Sequence, residues 1–320
     1  MIKFNYMSYL SQIVGQESVK SRLEIYTNSF VKTGQLPFLL FKAAKGSGKT
    51  KVIREFRKTL IHPNGNGQAI PILEVNCATI KDPEAFFNTI YPMWTNHGAF
   101  LFLDECHNLP IKIQEIFLTV LEKDPNPVRR ITFNHKDNGE VDYEFDFTRI
   151  SIGFATTDHQ KVLAPLLDRL SGITLAEYSK DELMTIFKKN VNVKVSDHIL
   201  QEITNVFRGN ARYCVKLAEE LDCYAKSKGL SYVNIDNWKD FCKVMGIFNG
   251  GLDDAEILIL KVLGSCGACS LQALSAKTGF SRAVIQKEYE LALLNKGLLE
   301  IDGKRMLTAQ GNKYFLEHLV

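Results

Sequence analysis

The loop Ala43-Ala-Lys-Gly-Ser-Gly-Lys-Thr50 restricts the fold of this chain more than any other feature. An apolar run, Pro37 to Phe41, precedes it, and a segment with helical periodicity, Lys49 to Leu60, follows it. A glycine-rich turn from a strand into a helix is the context of a P-loop, whose backbone N–H groups surround phosphate oxygens. The loop therefore predicts a nucleotide-binding α/β domain and a phosphate site formed by Gly46, Ser47, Gly48, Lys49, Thr50 and Lys51.

Two side chains of this loop have expected roles in nucleotide binding. Lys49 would pair with the β- and γ-phosphates of ATP, and Thr50 would give its hydroxyl to Mg²⁺. Alanine stands at position 43, where such loops usually begin with glycine. The alternative is a lysine-containing glycine-rich turn that binds nothing.

Short apolar runs alternate with helix-like segments through the first half of the chain. The four runs are Pro37 to Phe41, Ile70 to Val75, Ala99 to Leu103 and Ile150 to Ala155. Buried strands that alternate with helices are typical of a mainly parallel sheet covered on both faces. The fold class is therefore α/β.

The second half of the chain reads differently. The strands stop near Ser179, which can cap a helix, and helices continue to about Val244. After the glycine-containing stretch 246–251, three helices and a hairpin turning at Asp302-Gly303 indicate a winged helix. We predict a large P-loop domain at 1–178, a small all-helical lid at 179–246 and a winged helix at 252–320.

An acidic pair ends the third apolar run, in Phe100-Leu-Phe-Leu-Asp-Glu105. Asp104 would hold hydrated Mg²⁺, and Glu105 would orient and polarise the attacking water. Such pairs also occur as helix caps or solvated turns. The P-loop about fifty residues upstream favours the catalytic interpretation.

Phosphoryl transfer also needs positive charge against the transition state, often from an arginine of a neighbouring subunit. The candidates are Arg169, in Pro165-Leu-Leu-Asp-Arg169, and Arg212, in Arg208-Gly-Asn-Ala-Arg212. From the sequence alone, either could be a surface salt-bridge residue.

These motifs, in this order, resemble the AAA+ ATPases, and most closely the RuvB-like branch-migration motors. The resemblance runs from about Ile13 to the C-terminus. The segments that carry it are Ile13-Val-Gly-Gln16, the P-loop, Asp104-Glu-Cys-His107, Ala155-Thr-Thr157, Pro165 to Arg169, Tyr178, Arg208 to Arg212 and the final winged helix.

The resemblance implies a role for each segment. Ile13, Val14 and Tyr178 would surround the adenine, and Thr157 would sense the γ-phosphate or position the attacking water. Arg169 would act in trans as the arginine finger, and Arg212 would contact the nucleotide from the lid. Lys304 and Arg305, at the wing, would bind DNA.

The resemblance also implies partners. An arginine finger requires a neighbouring copy, so the chain is expected to form a homo-oligomeric ring, typically hexameric in this family. A hairpin over 130–147, with alternating apolar and acidic residues from Val141, would bind a RuvA-like adaptor, or would instead extend a sheet within the subunit. The wing would bind branched or duplex DNA, or would instead make protein contacts.

Composition limits the classes of protein to which the chain can belong. The 320 residues are 45% hydrophobic and 23% charged, with a net charge of +3, as in a soluble globular protein. No apolar run approaches the roughly 20 residues that span a bilayer, and no secretory signal is evident, so a cytoplasmic protein without membrane contact is expected. Cys266-Gly-Ala-Cys269 has metal-type spacing but lacks a second ligand pair, and it is interpreted as buried helix-end packing.

The leading hypothesis is a RuvB-like, ATP-dependent DNA translocase or helicase that acts in recombination and repair, with ATP and Mg²⁺ as cofactors. One alternative is a clamp-loader or helicase-loader subunit of the same ATPase class. The other is a nucleotide-gated DNA-binding scaffold with little turnover.

Overall fold

The computed structural model describes residues 7–63, 67–91, 98–122, 130–135 and 141–319. The chain divides into two compact units, Met1–Glu182 and Leu183–Val320. The first contains six helices and seven strands in its described part: α1 Met7–Leu10, α2 Glu17–Thr33, β1 Leu39–Lys42, α3 Lys49–Thr59, β2 Ile72–Asn76, α4 Pro83–Ile90, β3 Ala99–Asp104, α5 Ile111–Val120, β4 Arg130–His135, β5 Val141–Asp146, β6 Ile150–Thr156, α6 Ala164–Leu167 and β7 Ser171–Thr174.

Five of these strands form one parallel sheet in the order β2-β3-β6-β1-β7. All four predicted runs are strands of this sheet, which confirms the α/β fold class. The edge strand β7 was not predicted. Of its four residues, Ser-Gly-Ile-Thr, only Ile173 is fully buried, so it has no apolar run to reveal it.

Both faces of the sheet are covered, because alternate residues of each strand enter different apolar clusters. Phe100 and Phe102 of β3 pack with residues of α2 and α3, whereas Leu101 and Leu103 pack with residues of α4 and α5. Strand β6 is buried along its whole length. Its Gly153 faces the Phe100 ring, and a Cβ there would lie 2.6 Å from Phe100 Cζ.

Strands β4 and β5 pair antiparallel, with Arg130 opposite Asp146 and His135 opposite Val141. This confirms the two strands of the predicted hairpin, while its turn at 137–139 lies outside the described residues. At the base of the hairpin, Phe145 and Phe147 are buried in the core of the unit. The hairpin is therefore anchored in the same apolar cluster as α4 and α5.

The second unit is mainly helical. Its elements are α7 Lys180–Asn190, which begins at the boundary, β8 Lys194–Val195, α8 Asp197–Val206, α9 Ala211–Ser227, β9 Tyr232–Val233, α10 Ile235–Met245, α11 Asp254–Cys266, α12 Leu271–Thr278, α13 Arg282–Val284, a π-helical turn Ile285–Glu290, α14 Leu291–Asn295, β10 Leu299–Asp302, β11 Lys304–Leu307 and α15 Ala309–His318. The expectation of no strands between 179 and 246 was wrong, because β8 and β9 form a two-residue parallel pair.

A buried carboxylate shapes the turn that carries β8. Asp222 of α9 accepts hydrogen bonds from the backbone N–H groups of Asn192 and Val193 and from the Asn192 side chain. These bonds hold the pKa of Asp222 below its usual value, although burial opposes them. The position of this short strand is thus fixed by a side chain distant in sequence, so no local sequence pattern predicts it.

The C-terminal segment has its own apolar core, formed by residues between Leu252 and Leu307. Strands β10 and β11 form the predicted hairpin, with Asp302 opposite Lys304 and Gly303 at φ +63°. Cys269 adds an antiparallel bridge to Arg305, which extends the hairpin by a third short segment. Helix α11, helix α12 and a third, continuous helical segment over 282–295, made of α13, the π-helical turn and α14, precede this sheet. Together they form the predicted winged helix.

The stretch 246–252 is a compact turn. Phe248 N–H donates to the Leu252 carbonyl, and Gly251 N–H donates to the Phe248 carbonyl. Gly251 lies so close to α8 that a Cβ would be 2.5 Å from the Asn205 carbonyl oxygen. The division of the second unit at this stretch, and the boundary at 178, remain predictions. No helix in the described ranges has the length and apolar character to cross a bilayer.

Candidate functional site

The P-loop connects β1 to α3. Gly46 and Gly48 have φ values of +80° and +85°, which only glycine adopts readily. The Lys49 ammonium lies inside the loop, where it donates to the Ala43 and Ala44 carbonyls at 3.1 and 3.4 Å. Ser47 Oγ also donates to Ala44. Thr50 and Lys51 follow in the first turn of α3, so the loop presents backbone N–H groups and a helix N-terminus together.

The acidic pair stands at the carboxyl end of β3. Burial, followed by repulsion from Glu105, raises the pKa of Asp104, whereas the positive charge of Lys49 opposes that shift. Glu105 has φ +51°, a left-handed conformation that is uncommon outside glycine. Its N–H donates to Asp104 Oδ1 at 3.0 Å. Backbone strain of this kind is concentrated at functional sites.

Two threonines at the end of β6 hold the residues after β3. Thr157 donates to Glu105 Oε2 from its backbone N at 3.2 Å and from Oγ1 at 2.9 Å. Thr156 Oγ1 lies 2.9 Å from His107 Nδ1, and this nitrogen is 3.3 Å from Glu105 Oε2. The predicted residues Glu105 and Thr157 are thus in contact. The contact between Thr156 and His107 was not predicted, because strand order is needed to see it.

The sheet order explains how these groups meet. Strand β6 lies between β1 and β3, so the P-loop, the two threonines and the acidic pair emerge from the carboxyl ends of three adjacent strands. In open parallel sheets, ligands bind in the crevice at this edge.

The N-terminal motif contacts the end of the first unit through Gln16. Its side-chain amide donates to the Ala176 carbonyl at 2.7 Å and accepts from the Ala176 N–H at 2.9 Å. Gln16 is buried, with φ +58°. Of the two predicted adenine-contacting residues of this motif, Ile13 is buried and Val14 is half-buried. The sequence did not identify Gln16 as a site residue.

Tyr178 follows two residues after Ala176 and reaches the P-loop. Its hydroxyl lies 3.0 Å from the position a Cβ would occupy on Gly48. Burial, together with the nearby negative charge of Glu182, raises the pKa of Tyr178, while a hydrogen bond with Gln16 opposes the shift. Tyr178 thus lies beside the phosphate loop and contacts Gln16 of the N-terminal motif.

The two predicted arginines lie on different units. Arg169 is partly exposed in the turn between α6 and β7, and its Nη1 donates to the Pro165 carbonyl at 2.9 Å. Arg212 is exposed in the first turn of α9, which Asn210 caps by accepting from the Arg212 N–H. Neither side chain is buried in its own unit, so each can contact a ligand or a neighbour.

The two predicted wing residues lie in different environments. Lys304 is exposed, but the Arg305 side chain is only 13% exposed and pairs with the buried Glu290 at 2.7 Å. Arg305 therefore joins the hairpin to the π-helical turn in this conformation, and its contact with DNA stays a prediction. The sequence could not show this, because Glu290 has the polarity of a surface residue.

The site has suitable donors for Mg²⁺ bound with a nucleotide. Mg²⁺ prefers oxygen ligands, usually one or two carboxylates together with substrate phosphates. A half-buried, electrostatically unfavourable carboxylate at Asp104 and the Thr50 hydroxyl fit that set. Among the described residues, no group of three or more His, Cys, Asp or Glu side chains could hold a metal without a substrate. Cys269 is buried as expected, but Cys266 is exposed and accepts a hydrogen bond from Lys277.

Comparison with known proteins agrees with this arrangement. No family model matches the chain. The Holliday junction branch migration complex subunit RuvB of Kosmotoga olearia is 27% identical over 317 residues, which cover 95% of this chain and 88% of the relative. RuvB of Phytoplasma mali is 28% identical over 301 residues, covering 91% and 86%.

Solved structures show the same fold. The Thermotoga maritima RuvB Holliday junction branch migration motor matches with a TM-score of 0.70 at 22% identity, covering 98% of this chain and 99% of that one. A mutant of that protein matches with a TM-score of 0.72 at 23% identity, covering 97% of both chains. Nearly full-length similarity to these relatives, and the meeting of P-loop, acidic pair and Thr157 at one sheet edge, lead to one assignment: this chain is a RuvB-like AAA+ protein.

Proposed function

We propose that this chain hydrolyses ATP to move duplex DNA at branched recombination intermediates. Branch migration of Holliday junctions is the activity for which its RuvB relatives are named. The observation that carries the proposal is the contact of Glu105 with Thr157 beside the P-loop. A scaffold that only binds nucleotide would not need an acid held in a strained backbone conformation at that position.

In hydrolysis, each group of the first unit has a separate role. The P-loop N–H groups and Lys49 bind the phosphates, and Asp104 and Thr50 would hold Mg²⁺, which neutralises charge on the β- and γ-phosphates. Glu105 takes a proton from the attacking water or orients it. Thr157 donates to Glu105 Oε2, which leaves Oε1 to accept from water and fixes the direction in which the carboxylate points.

The base is bound beside Tyr178. Ile13 and Val14 contribute apolar surface, and Gln16 keeps the segment around Ala176 in place. Arg212 contacts the nucleotide from the second unit. Movement of that unit is then linked to the state of the phosphates, as lid motions are in other ATPases.

Arg169 acts on the nucleotide of a neighbouring copy, so the active form is a homo-oligomeric ring, hexameric as the resemblance implies. Its partly exposed position, tethered by one bond to Pro165, suits a residue that reaches across an interface. The hairpin of β4 and β5 binds an adaptor of RuvA type. The winged helix contacts DNA, with Lys304 as the wing cation.

The test is ATP hydrolysis with and without a four-way DNA junction, comparing the wild type with Glu105→Gln. The variant keeps the volume and the hydrogen bond from Thr157 but removes the base, so turnover should fall about 10²- to 10⁴-fold with ATP binding retained. Equal turnover in both proteins would refute the assignment of Glu105. Branch migration of the junction by the wild type distinguishes a motor from a loader, which would hydrolyse ATP without moving the arms.

The arginine finger has its own test. Arg169→Ala should form the same ring but hydrolyse ATP poorly. Mixing it with a Lys49→Ala protein should restore some activity, because a mixed interface pairs one intact P-loop with one intact arginine. Full activity in the pure Arg169→Ala protein would remove Arg169 from the site.

A further inference from the structure

Arg208 occupies an unusual environment within the second unit. It lies in the turn between α8 and α9 with φ +52°, a left-handed conformation that costs a non-glycine residue on the order of 1–3 kcal/mol. Its Nη2 donates to Asp253 Oδ2 at 2.9 Å and to Glu256 Oε2 at 2.7 Å. The guanidinium also lies 5.4 Å from the centre of the Tyr213 ring.

The two carboxylates that Arg208 binds form the N-terminal cap of α11. Asp253 accepts from the Glu256 N–H at 2.8 Å, and Glu256 accepts from the Asp253 N–H at 2.9 Å. Helix α11 is the first helix of the winged helix. One arginine of the turn before α9 is therefore bonded to the residues that begin the DNA-binding segment.

Stability alone does not account for this cluster. Glu256 is fully buried, and its Oε1 and the Nε of Arg208 are buried atoms without a hydrogen-bond partner among the described residues. Burial raises the pKa of Glu256, although the charge of Arg208 opposes the shift. An incompletely paired buried ion cluster contributes little net stability compared with apolar residues of similar volume. The presence of this cluster is better explained by the geometry that it enforces.

Further bonds join the same two segments. Lys296, at the end of α14, donates to the carbonyls of Asn205 and Gly250. Gly251 lies against the Asn205 backbone, where no side chain fits. The C-terminal end of α8 is thus held to the start and to the third helix of the winged helix.

The same turn carries the nucleotide-contacting arginine at its other end. Asn210 accepts from the N–H groups of Arg212 and Tyr213, which fixes the start of α9 only three residues after Arg208. The turn between Arg208 and Arg212 is closed by a hydrogen bond from the Asn210 N–H to the Phe207 carbonyl at 2.9 Å. A displacement of Arg212 would therefore move Arg208 and, through its ion pairs, Asp253 and Glu256.

We propose that Arg208 is a positioning residue that couples nucleotide binding to DNA binding by joining the Arg212 turn to α11. The inference rests on the proposed function and deepens it. By linkage, a nucleotide that shifts the turn changes DNA affinity, and DNA changes nucleotide affinity by the same factor. Both effects depend on the ion pairs between Arg208 and the two cap residues of α11, Asp253 and Glu256.

The experiment measures the dissociation constant of a four-way DNA junction without nucleotide and with a non-hydrolysable ATP analogue. We expect the ratio of the two constants to be about fivefold or more in the wild type, the lower range of allosteric coupling. In Arg208→Met this ratio should fall below about twofold, because most of the coupling between nucleotide and DNA is lost. Arg208→Lys keeps the charge but has one ammonium for two carboxylates, and its ratio should be intermediate.

Arg305→Met is the matched control. It removes another buried arginine–glutamate pair, but that pair lies wholly inside the winged helix. Its melting temperature should fall much as in Arg208→Met. Any change in DNA affinity should be equal with and without the ATP analogue, so the ratio of dissociation constants stays that of the wild type. A purely structural role of Arg208 would lower the melting temperature and leave its ratio unchanged, and that result would overturn the inference.

Amide hydrogen exchange separates this failure from failure of the proposed function. In Arg208→Met, exchange in 248–258 should accelerate, whatever the ligand, because the cap of α11 has lost its outer partner. A wild type that hydrolyses ATP but shows no coupling would refute the inference alone. A wild type that neither hydrolyses ATP nor binds the junction would refute the proposed function and the inference with it.

Discussion

Replacing Gln16 by alanine tests whether the N-terminal motif organises the nucleotide site. The substitution removes two hydrogen bonds to Ala176, at 2.7 and 2.9 Å, while the left-handed backbone at position 16 remains. A typical bond of this kind contributes about 1 kcal/mol net, and Ala176 is exposed enough for water to replace part of the loss. The expected destabilisation of the first unit is therefore roughly 1–2 kcal/mol.

Two measurements follow from that value. A loss of about 1 kcal/mol lowers the melting temperature of a domain of this size by roughly 2–4 °C, so the total decrease should be about 2–8 °C. Because the segment that Gln16 holds leads into Tyr178, the KM for ATP should also rise, by up to about tenfold for 1.4 kcal/mol of lost positioning. The turnover number at saturating ATP should change much less, since Glu105 and Thr157 are untouched.

Gln16→Asn is the control for backbone strain. Asparagine tolerates left-handed φ better than alanine, but its side chain is one methylene too short to make both bonds. Its KM should match that of Gln16→Ala, while its melting temperature should decrease less. A wild-type KM in both variants would show that Gln16 stabilises the fold without organising the site, and the reasoning would be refuted.

Three further substitutions test the site and the sheet. Thr157→Val removes one bond to a charged carboxylate, worth about 1.5–3 kcal/mol, so kcat should fall roughly 10- to 100-fold with KM little changed; unchanged kcat would contradict the role of Thr157. The raised pKa of Asp104 means that its charged form opposes folding at neutral pH, because a raised folded-state pKa favours folding only at lower pH. Asp104→Asn should therefore raise the melting temperature while abolishing hydrolysis. A lower melting temperature would contradict the conclusion that the charged Asp104 carboxylate opposes folding. Gly153→Ala forces a Cβ to 2.6 Å from the Phe100 ring and should cost about 1–3 kcal/mol in chemical denaturation, whereas a neutral effect would show that the ring can move.

Local patterns were sufficient to predict the strands that carry the chemistry. Strands β1, β2, β3 and β6 are apolar runs bounded by turns, and the P-loop and acidic pair each follow such a run. Strand β7 and the pair β8 and β9 escaped prediction for a physical reason. Each has at most one buried side chain, and a partner distant in sequence places it.

The candidate site was predictable as a set of residues but not as a set of contacts. Glu105 and Thr157 were both expected, whereas their hydrogen bond depends on β6 lying beside β3. Gln16 and Arg208 were quoted as parts of motifs without roles of their own. Arg305 was assigned to DNA because a hairpin tip is usually exposed, and only the folded chain reveals Glu290 beneath it.

The position of β1 in the sheet has a consequence for synthesis of the chain. Both of its neighbours lie far downstream, since Leu39 pairs with Gly153 on one side and with Ser171 on the other. At roughly 5–20 residues per second, the apolar strand Leu39–Lys42 waits on the order of 5–20 s after it is made before either neighbour exists. During that interval its unpaired edges are exposed to other nascent chains, so this stage of synthesis is prone to aggregation until β6 is available to pair.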